Sequence, residues 1–237
     1  MTPPRSAKRI LAIDIGGSGL KAAVVGPDGT LLTERHRIAT PKHREPETIT
    51  ALILELIAPL QRYDCVSVGF PGVVIDGTVH SAPNFGSNDW QGFDLGGVLH
   101  TALAKPIRVL NDADVQGLGA VSGRGFEVVC TLGTGFGTAW FKDGALLPHL
   151  ELAHMPANGK RDFDRYIGDH ALKKVGKKKW NHRVEAVVNL FARVMNFDHL
   201  YLGGGNAAKI AFDLPPKVTL IPNEDGLRGA ASVWRMK

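Results

Sequence analysis

The sequence predicts an α/β protein made of two related lobes that face a shared cleft. Predicted strands and helices follow one another along the 237 residues, a pattern typical of α/β architecture. A strand–glycine turn–strand unit occurs twice, at 10–25 and at 127–141, which indicates two related lobes with one phosphate-binding turn each. The length suits two small lobes and also one large domain. We place the boundary between 1–111 and 112–237, and expect that the last helix can pack back on the N-terminal lobe.

Apolar runs and helical periodicity define the individual elements. Ile49, Ile53, Leu56 and Leu60 recur with the 3.6-residue period of a helix. The predicted strands are 8–15, 20–25, 31–38, 65–70, 107–110, 127–132, 136–141 and 199–202. The predicted helices are 46–62, 94–104, one that begins at Asp112, one near 180–195, and one from about 226 to 235. A loop rich in Asn, Gly and Pro occupies 81–92.

Composition indicates an ordinary globular protein, which we place in the cytoplasm. Apolar residues make up 44% and charged residues 22% of the chain, enough to bury a sizeable core. No apolar run approaches the roughly 20 residues that span a bilayer, and residues 1–9 lack the apolar core of a signal peptide. Cys65 and Cys130 lie inside apolar runs, so we expect reduced, buried thiols.

A run of lysines is the main local charge excess in a chain of net charge +5. Its members are Lys173, Lys174, Lys177, Lys178 and Lys179. Such runs are usually a solvated helix face. The alternative is a track for a polyanion such as polyphosphate or nucleic acid.

The first glycine motif is DIGGSGLK, at residues 14–21. A tight glycine turn leaves backbone N–H groups directed into a concavity that no side chain blocks, and phosphate oxygens bind such concavities. The candidates are Asp14, Gly16, Gly17, Ser18 and Lys21, and Asp14 could also hold Mg²⁺ through water. The alternative is an ordinary glycine hairpin with an exposed lysine.

The second glycine motif is LGTGFGT, at residues 132–138. Gly133, Thr134 and Gly135 offer the same backbone chemistry, and the threonine hydroxyl can add a donor. Two such turns in one chain favour a ligand with several phosphates.

Two further motifs contain polar groups suited to a sugar. Asp112 follows a buried strand and opens a helix, either as an N-cap or as a general base that accepts a hydroxyl proton during phosphoryl transfer. Asn111 could then bind a second hydroxyl. Glu151 and His154 are three residues apart, so on a helix they would share one face and bind vicinal hydroxyls. They could equally be an unrelated surface pair.

The order of these motifs resembles that of the ROK family of sugar kinases over residues 9–234. The motifs are, in order, DIGGSGLK, GFPG, SAPN followed by a Trp, NDAD, TLGTGFGTA, ELAH and GGGN. The resemblance implies the two-lobed fold of the actin and hexokinase superfamily, which is ribonuclease H-like, with a cleft between the lobes. Within the family the chain looks closest to the polyphosphate glucokinases, because it is short, has a serine in DIGGSGLK, and carries DGALLPHLELAH after the second turn.

The resemblance implies roles by matching position. Asp112 matches the catalytic base. The sugar-binding positions are matched by Asn84, Asn111, Asp112, Glu151 and His154. The two phosphate turns are matched by Asp14, Gly16, Gly17, Gly133, Thr134 and Gly135. A turn on the nucleotide side is matched by Gly203, Gly204 and Gly205.

Departures from the family pattern refine these expectations. Many members carry a Cys-rich zinc segment that also supplies a sugar-binding glutamate. This sequence has none, like the polyphosphate glucokinases, so we expect no structural zinc and offer Asp164 in place of that glutamate. Ala153 stands where the family has glycine. Nine residues before the first strand are too few for the winged helix of ROK repressors, so we expect no sequence-specific DNA binding.

The resemblance therefore implies a glucokinase that uses polyphosphate, ATP or both, together with Mg²⁺, to phosphorylate the 6-hydroxyl of glucose. The resemblance suggests a homodimer, and we expect no membrane partner. An ATP-only kinase for mannose, fructose or an N-acetylhexosamine is an alternative, and so is a non-catalytic sugar sensor. A nucleic-acid-binding module would depend on the lysine run alone, which lacks interleaved aromatic residues except Trp180.

Overall fold

The computed structural model describes residues 9–86, 88–222 and 225–236. Its strands are β1 (Ile10–Ile15), β2 (Leu20–Val25), β3 (His36–Ile38), β4 (Cys65–Phe70), β5 (Val74–Ile75), β6 (Thr78–Val79), β7 (Ile107–Asn111), β8 (Phe126–Leu132), β9 (Phe136–Lys142), β10 (Ala145–Leu146), β11 (Pro156–Asn158), β12 (Arg161–Asp162), β13 (His199–Gly203) and β14 (Val218–Leu220). Its α-helices are α1 (Pro46–Ile57), α2 (Leu95–Leu103), α3 (Asp112–Ala120), α4 (Phe163–Ile167), α5 (Asp169–Val194) and α6 (Asp225–Val233).

The described residues form two compact units, each with its own five-stranded sheet. The first unit contains the described residues up to 119 together with α6. The second unit contains the described residues between 120 and 223. Helix α3, apart from its last residue, therefore lies in the first unit.

The sheet of the first unit has the strand order β3-β2-β1-β4-β7. Strands β1, β4 and β7 are parallel, and Asp14 on β1 pairs with Gly69 on β4, which in turn pairs with Leu110 on β7. The carboxyl ends of the three parallel strands therefore stand at one edge of the sheet. In open α/β sheets, ligands bind outside this edge.

The two faces of this sheet are covered by different helices. Ile13 packs with Ile49 and Ile53 of α1 on one face, and Ala12 packs with Val115 of α3 and Leu227 of α6 on the other. Successive strand residues point to opposite faces, so β1 is buried on both sides.

Helix α6 is fixed to the sheet by a buried serine as well as by apolar contacts. The Ser67 hydroxyl donates to the Ala230 carbonyl at 2.7 Å and accepts from the Trp234 indole N–H at 2.9 Å. Because both of its neighbours belong to the C-terminal segment, Ser67 ties the end of the chain to the centre of the first unit.

The sheet of the second unit has the strand order β10-β9-β8-β13-β14. Strands β8 and β13 are parallel, and Gly203 at the end of β13 pairs with Thr131 near the end of β8. The second glycine turn and the Gly203 turn thus follow neighbouring strands at the same edge. Trp180 and Phe191 of α5 are buried in the core of this unit together with Phe136 of β9.

A buried carboxylate organises the start of β8. Glu127 Oε1 accepts from the Ser122 N–H at 2.7 Å and from the Tyr201 hydroxyl at 2.8 Å, while Oε2 accepts from the N–H groups of Gly123 and Arg124 at 2.8 and 3.0 Å. Burial acts to raise the pKa of Glu127, but these hydrogen bonds outweigh burial and lower that pKa below its ordinary value.

Most predicted elements are confirmed, and three differ in length. Helix α1 ends at Ile57 instead of residue 62, because Pro59 has no N–H to continue the helical hydrogen bonds. The predicted strand 31–38 pairs continuously only at His36–Ile38, since the Thr33 hydroxyl accepts the Val24 N–H that a ladder partner would take. The helix predicted near 180–195 begins much earlier, at Asp169.

Helix α5 contains one interruption. Gly176 has φ 77° and ψ 161°, which is not helical, so α5 consists of two helical segments on either side of it. A positive φ is readily adopted only by glycine. Over the ranges that the structure describes, neither α5 nor any other helix has the length and apolar character needed to span a bilayer.

Candidate active site

The first glycine turn is closed by its own backbone. The Gly16 N–H donates to the Gly19 carbonyl at 3.1 Å. A Cβ on Gly16 would lie 3.0 Å from that carbonyl oxygen, and a Cβ on Gly19 would lie 2.7 Å from the Arg37 guanidinium. A side chain at position 16 would therefore require a small shift of the turn, and one at position 19 would require the Arg37 side chain to move.

Asp14 and Lys21 flank this turn as direct partners across the β1–β2 hairpin. Lys21 Nζ lies 2.9 Å from Asp14 Oδ2, and both side chains are partly buried. The lysine that the sequence left ambiguous is thus paired with the aspartate at the end of β1. The pair places the Lys21 ammonium beside the turn, with its charge balanced by the Asp14 carboxylate.

Arg44 joins the first glycine turn to the loop that carries Asn84. Its Nη2 donates to the Gly17 carbonyl at 3.3 Å, its Nη1 to the Asn84 carbonyl at 2.7 Å, and its Nε to the Pro41 carbonyl at 3.1 Å. The guanidinium also lies over the Phe85 ring at 5.7 Å from its centroid. One rigid, planar cation therefore fixes the relative position of two segments with candidate site residues.

Asp112 is the first residue of α3, directly after β7. Gly69 on β4 lies underneath it, since a Cβ on Gly69 would be 3.4 Å from the Asp112 Cα. Asp112 Oδ1 accepts from the Ala113 N–H at 2.9 Å, and the residue is half-buried. The aspartate thus stands at the edge where the parallel strands end, two strands from the Asp14 turn. Neighbouring strands lie about 4.8 Å apart, so β1 and β7 are about 10 Å apart.

Asn111 is buried, and its amide makes hydrogen bonds within the first unit. Its Nδ2 donates to the Gly72 carbonyl at 3.1 Å, and its Oδ1 accepts from the Ala113 N–H at 2.8 Å. Asn111 therefore performs the N-cap function that the sequence offered for Asp112. Asn84 lies on an exposed loop, anchored by Arg44 through its backbone.

The second glycine turn is held by groups from two other segments. The Gly133 N–H donates to the Gly135 carbonyl at 3.0 Å, while the Asp169 N–H at the start of α5 lies 3.2 Å from the Gly133 carbonyl and 3.3 Å from that of Thr134. A Cβ on Gly168 would lie 3.2 Å from the Thr134 carbonyl. Close packing against the start of α5 thus fixes this turn.

Asn206 joins the second glycine turn to the Gly203–Gly205 turn. Its Nδ2 donates to the Gly133 carbonyl at 3.1 Å, and its backbone N–H donates to the Leu132 carbonyl at 2.8 Å. Gly204 has φ 84°, and a Cβ there would lie 2.5 Å from the Leu132 carbonyl oxygen. The two turns of the second unit therefore form one backbone assembly.

Charged groups surround this assembly. Lys209 Nζ donates to Asn206 Oδ1 at 2.8 Å, and Lys173 Nζ lies 2.5 Å from Asp169 Oδ2. The hydrogen bond from Lys173 lowers the pKa of Asp169 below its ordinary value, and Asn206 adds to the effect.

Glu151 and His154 come together with two aspartates. Leu152–His154 form a short 3₁₀ turn, and His154 Nε2 lies 3.9 Å from Glu151 Oε2 while His154 Nδ1 lies 3.9 Å from Asp162 Oδ2. Asp164 Oδ1 accepts from the Phe136 N–H, just after the second glycine turn, at 2.9 Å. Burial raises the pKa of Asp164 despite this bond.

Glu151 also has a partner that the sequence did not indicate. His149 Nε2 lies 3.0 Å from Glu151 Oε1, and the His149 side chain is 10% exposed. Glu151 is therefore placed between two histidines, and these contacts restrict the directions in which its oxygens can accept hydrogen bonds.

All five residues of the lysine run are exposed on α5. Lys173 is in the ion pair with Asp169, and Gly176 separates it and Lys174 from the other three. The run thus belongs to two helical segments, not to one continuous face.

Asp14 fits the usual donor set for Mg²⁺ in phosphoryl transfer. Such ions are commonly bound by one or two carboxylates, waters and substrate phosphates, and Asp14 presents a partly exposed carboxylate beside the first glycine turn, with Oδ2 paired to Lys21. Within the ranges that the structure describes, no group of three or more His, Cys, Asp and Glu side chains is arranged to hold a metal. Cys65 and Cys130 are buried free thiols.

Comparison with known proteins agrees with the sequence-based assignment. The ROK family model matches residues 10–158. The polyphosphate glucokinase of Mycobacterium leprae is 30% identical over 95% of this chain and 74% of its own length. The chain belongs to the ROK family, as the motif order predicted.

Solved structures confirm the predicted fold class, that of the actin and hexokinase superfamily. An inorganic polyphosphate/ATP-glucomannokinase from an Arthrobacter species matches with a TM-score of 0.86 and 30% identity, over 96% of this chain and 98% of the other. A ROK family glucokinase from Streptomyces griseus, solved with glucose and AMPPNP, matches with a TM-score of 0.81 and 20% identity over 96% and 99%.

The residues that sequence analysis missed are those that hold the turns. Arg44 has no local signal, because it lies 27 and 40 residues from Gly17 and Asn84. Asn206 did have a local sequence signal, since it completes the GGGN motif directly after the Gly203 turn. Asp169 could have been found only with knowledge of where α5 begins.

Proposed function

We propose that this chain is a glucokinase that transfers a phosphoryl group from inorganic polyphosphate, ATP or both to the 6-hydroxyl of glucose. The observation that carries the proposal is the position of Asp112, at the edge where the parallel strands of the first unit end, beside Gly69 and two strands from the Asp14 turn. Similarity to a polyphosphate glucokinase and a polyphosphate/ATP-glucomannokinase supports the choice of acceptor and donors.

Asp112 acts as the general base. Its carboxylate accepts the proton of the glucose 6-hydroxyl as that oxygen forms a bond to the terminal phosphorus of the donor. The phosphorus–oxygen bond to the rest of the donor breaks, and the leaving phosphate departs with the electron pair. Asp112 then holds the proton and later releases it to solvent. Such assistance is typically worth about 10²–10⁴ in rate.

The glycine turns stabilise the negative charge on the transferring group. The Gly16 and Gly133 N–H groups close the turns, so the other backbone N–H groups of the turns would donate to phosphate oxygens, with no reorganisation during the reaction. Asp14 would hold Mg²⁺, which when bound neutralises charge on the donor phosphates. Lys21 keeps the Asp14 carboxylate oriented through their ion pair.

Four side chains are the proposed contacts of the hexose, beside Asp112. Asn84 and Asn111 belong to the first unit, and Glu151 and His154 belong to the second. Asn111 has one amide N–H beyond its bond to Gly72, so it can donate to a hydroxyl while it caps α3. Asp164, close to Glu151 and His154, is proposed in place of the glutamate of zinc-containing relatives.

The donor is proposed to contact the second unit through Gly133–Gly135 and the Gly203–Gly205 turn. Lys173 and Lys209 lie beside this assembly, and the exposed lysines of α5 continue away from it along the helix. A long anionic donor would find cations along this direction, whereas ATP would use the turns alone. We further propose a homodimer, which sedimentation analysis would test.

A coupled assay with a panel of sugars and donors tests the proposal. The expected result is the highest kcat/KM for glucose, with turnover by polyphosphate. Preference for another hexose with ATP alone would identify an ATP-dependent kinase of different specificity. Sugar binding without turnover by any donor would identify a sensor, and the proposed function would then be wrong.

The role of Asp112 is tested by Asp112→Asn. The amide oxygen can keep the bond to the Ala113 N–H, so the fold should be retained while kcat falls by about 10²–10⁴. Unchanged melting temperature and unchanged glucose affinity serve as controls. A variant that keeps a tenth of the activity would rule out this assignment of the base.

A further inference from the structure

His149 is a nearly buried histidine beside Glu151 that the proposed reaction does not use. Its side chain is 10% exposed and that of Glu151 is 25% exposed, whereas Leu150 between them is 51% exposed. The Leu150 carbonyl accepts from the Thr138 hydroxyl at 2.9 Å, which fixes the backbone at this point. The segment therefore turns two polar side chains inward and a leucine outward, the reverse of what burial of apolar surface favours.

The hydrogen bond between His149 and Glu151 has only one possible direction. His149 Nε2 lies 3.0 Å from Glu151 Oε1. An ionised carboxylate only accepts hydrogen bonds, so the Nε2 atom of His149 carries the hydrogen and donates it. Hydrogen bonds with one charged partner are about twice as strong as neutral ones. His149 therefore holds Oε1 firmly and leaves Oε2 of Glu151 directed elsewhere.

The backbone next to Glu151 does not hold its carboxylate. Glu151 stands directly before the 3₁₀ turn Leu152–His154, where an acceptor side chain often binds the free N–H groups of the turn. In the part of the chain that the structure describes, the Glu151 side chain makes no hydrogen bond of this kind. The direction of its carboxylate is therefore set by other side chains, and His149 makes the shortest contact with it that we find.

Without His149, the charges around Glu151 would draw it toward His154. Glu151 Oε2 lies 3.9 Å from His154 Nε2, which is too far for a hydrogen bond. Burial raises the pKa of Asp164, and the charges of Asp162 and Glu151 add to that increase, so Glu151 is repelled from the two aspartates. A small rotation toward His154 would form a direct ion pair. The two groups proposed to bind hexose hydroxyls would then bind each other.

We propose that His149 is a positioning residue for the hexose, which holds Glu151 Oε1 so that Oε2 and the His154 ring stay apart and free to bind hydroxyls. The inference rests on the proposed function, because it takes Glu151 as a contact of the hexose. His149 itself touches neither the hexose nor the donor. It acts through Glu151, and its loss should affect sugar binding more than the rate of phosphoryl transfer.

The test compares three substitutions of histidine in the second unit. His149→Leu removes the donor and keeps a side chain of similar size, whereas His149→Gln keeps an N–H donor. His199→Leu is the matched control, since His199 is half-buried and its Nε2 lies 2.8 Å from the Thr219 hydroxyl. His199 begins β13, at the end opposite the Gly203 turn. The kcat, the KM for glucose, the KM for the donor and the melting temperature are measured for each variant.

His149→Leu should raise the KM for glucose by about tenfold, which corresponds to about 1.4 kcal/mol. Its kcat should change by less than about twofold, because Glu151 binds the hexose equally in the ground state and the transition state. His149→Gln should bring the KM for glucose back to within about threefold of wild type, and His199→Leu should leave it unchanged. An unchanged KM in His149→Leu, an equal loss in His149→Gln, or an equal loss in the control would overturn the inference.

A double-mutant cycle shows whether His149 acts through Glu151. Glu151→Ala should raise the KM for glucose, and adding His149→Leu should change it no further, since the two losses share one contact. Additive losses would show that His149 acts on the fold or on another group, and an unchanged KM in Glu151→Ala would remove the residue through which it acts. Either result would overturn the inference and leave the glucokinase activity standing.

Calorimetric titration with glucose separates failure of this inference from failure of the proposed function. The dissociation constants of the same variants, measured without a donor, should follow the order of the KM values whether or not turnover occurs. Absence of glucose phosphorylation by every donor would disprove the glucokinase proposal, while the titration would still test His149. Absence of glucose binding by the wild type would overturn both.

Discussion

Arg44→Met should weaken the first unit and its hexose site together. The substitution keeps an apolar stem of similar length and removes three hydrogen bonds to carbonyl groups. Two of them are short, at 2.7 and 3.1 Å. Counting about 1 kcal/mol for each of these two bonds and about 0.5 kcal/mol for the contact with Phe85, and leaving out the longer bond at 3.3 Å, the loss is about 2–3 kcal/mol. The melting temperature should fall by about 5–10 °C.

Kinetic measurements show whether Arg44 positions the glucose site or only stabilises the fold. Arg44 fixes the Asn84 carbonyl and the Gly17 carbonyl, so its loss should raise the KM for glucose more than it lowers kcat. Lysine has no planar fork to reach three carbonyls, so Arg44→Lys should give an intermediate KM. Arg35→Met, at an exposed residue of the same unit, is the control and should change stability by less than about 0.5 kcal/mol.

Two outcomes would contradict this role of Arg44. If Arg44→Met melts within 1 °C of Arg35→Met, the three carbonyl contacts contribute nothing to the fold. If it melts lower but its glucose KM equals that of the wild type measured well below both melting temperatures, Arg44 supports the fold without positioning Asn84.

The remaining predictions concern stability and thiol chemistry. Glu127→Gln should cost about 3 kcal/mol, measured by chemical denaturation at pH 7. The pKa of Glu127 is lowered in the folded protein. Its carboxylate therefore stabilises the fold above the unfolded pKa, and this stabilisation is lost as pH falls through the folded pKa. The difference in unfolding free energy between wild type and variant should shrink in acid, and a difference that stays constant with pH would contradict this. Gly204→Ala should lower the melting temperature and the activity, since the new Cβ would meet the Leu132 carbonyl; a variant as stable as wild type would be inconsistent with that contact. Burial raises the pKa of Cys65 to about 12 and that of Cys130 further, so neither thiol should react with a thiol reagent at pH 8 until the protein unfolds.

The order of the elements was predictable because the strands are continuous apolar runs. Strand β1 and strand β4 are buried at nearly every position, and parallel central strands have this pattern. The end of α1 was missed although Pro59 was visible, because Leu60 continues the helical period. Leu60 is indeed buried in the same core cluster, but the chain reaches it after leaving the helix.

The glycine turns could be located from the sequence, but the residues that hold them in place could not. Their pattern is local, since a hairpin turn is set by a few adjacent residues. Arg44 and Asp169 act on carbonyls that are distant in sequence, so only tertiary structure brings them together. The interruption at Gly176 was also not predicted, because the helix was predicted only near 180–195 and its first segment was missed.

The interruption at Gly176 gives the second unit two helix ends that a continuous helix would lack. Peptide dipoles add along a helix only while it is unbroken, and each segment begins with the equivalent of about half a positive charge and ends with about half a negative one. The segment after Gly176 therefore starts with its own positive end at Lys177, Lys178 and Lys179, close to the negative end of the segment before it. The three lysine side chains tip this local balance toward positive potential.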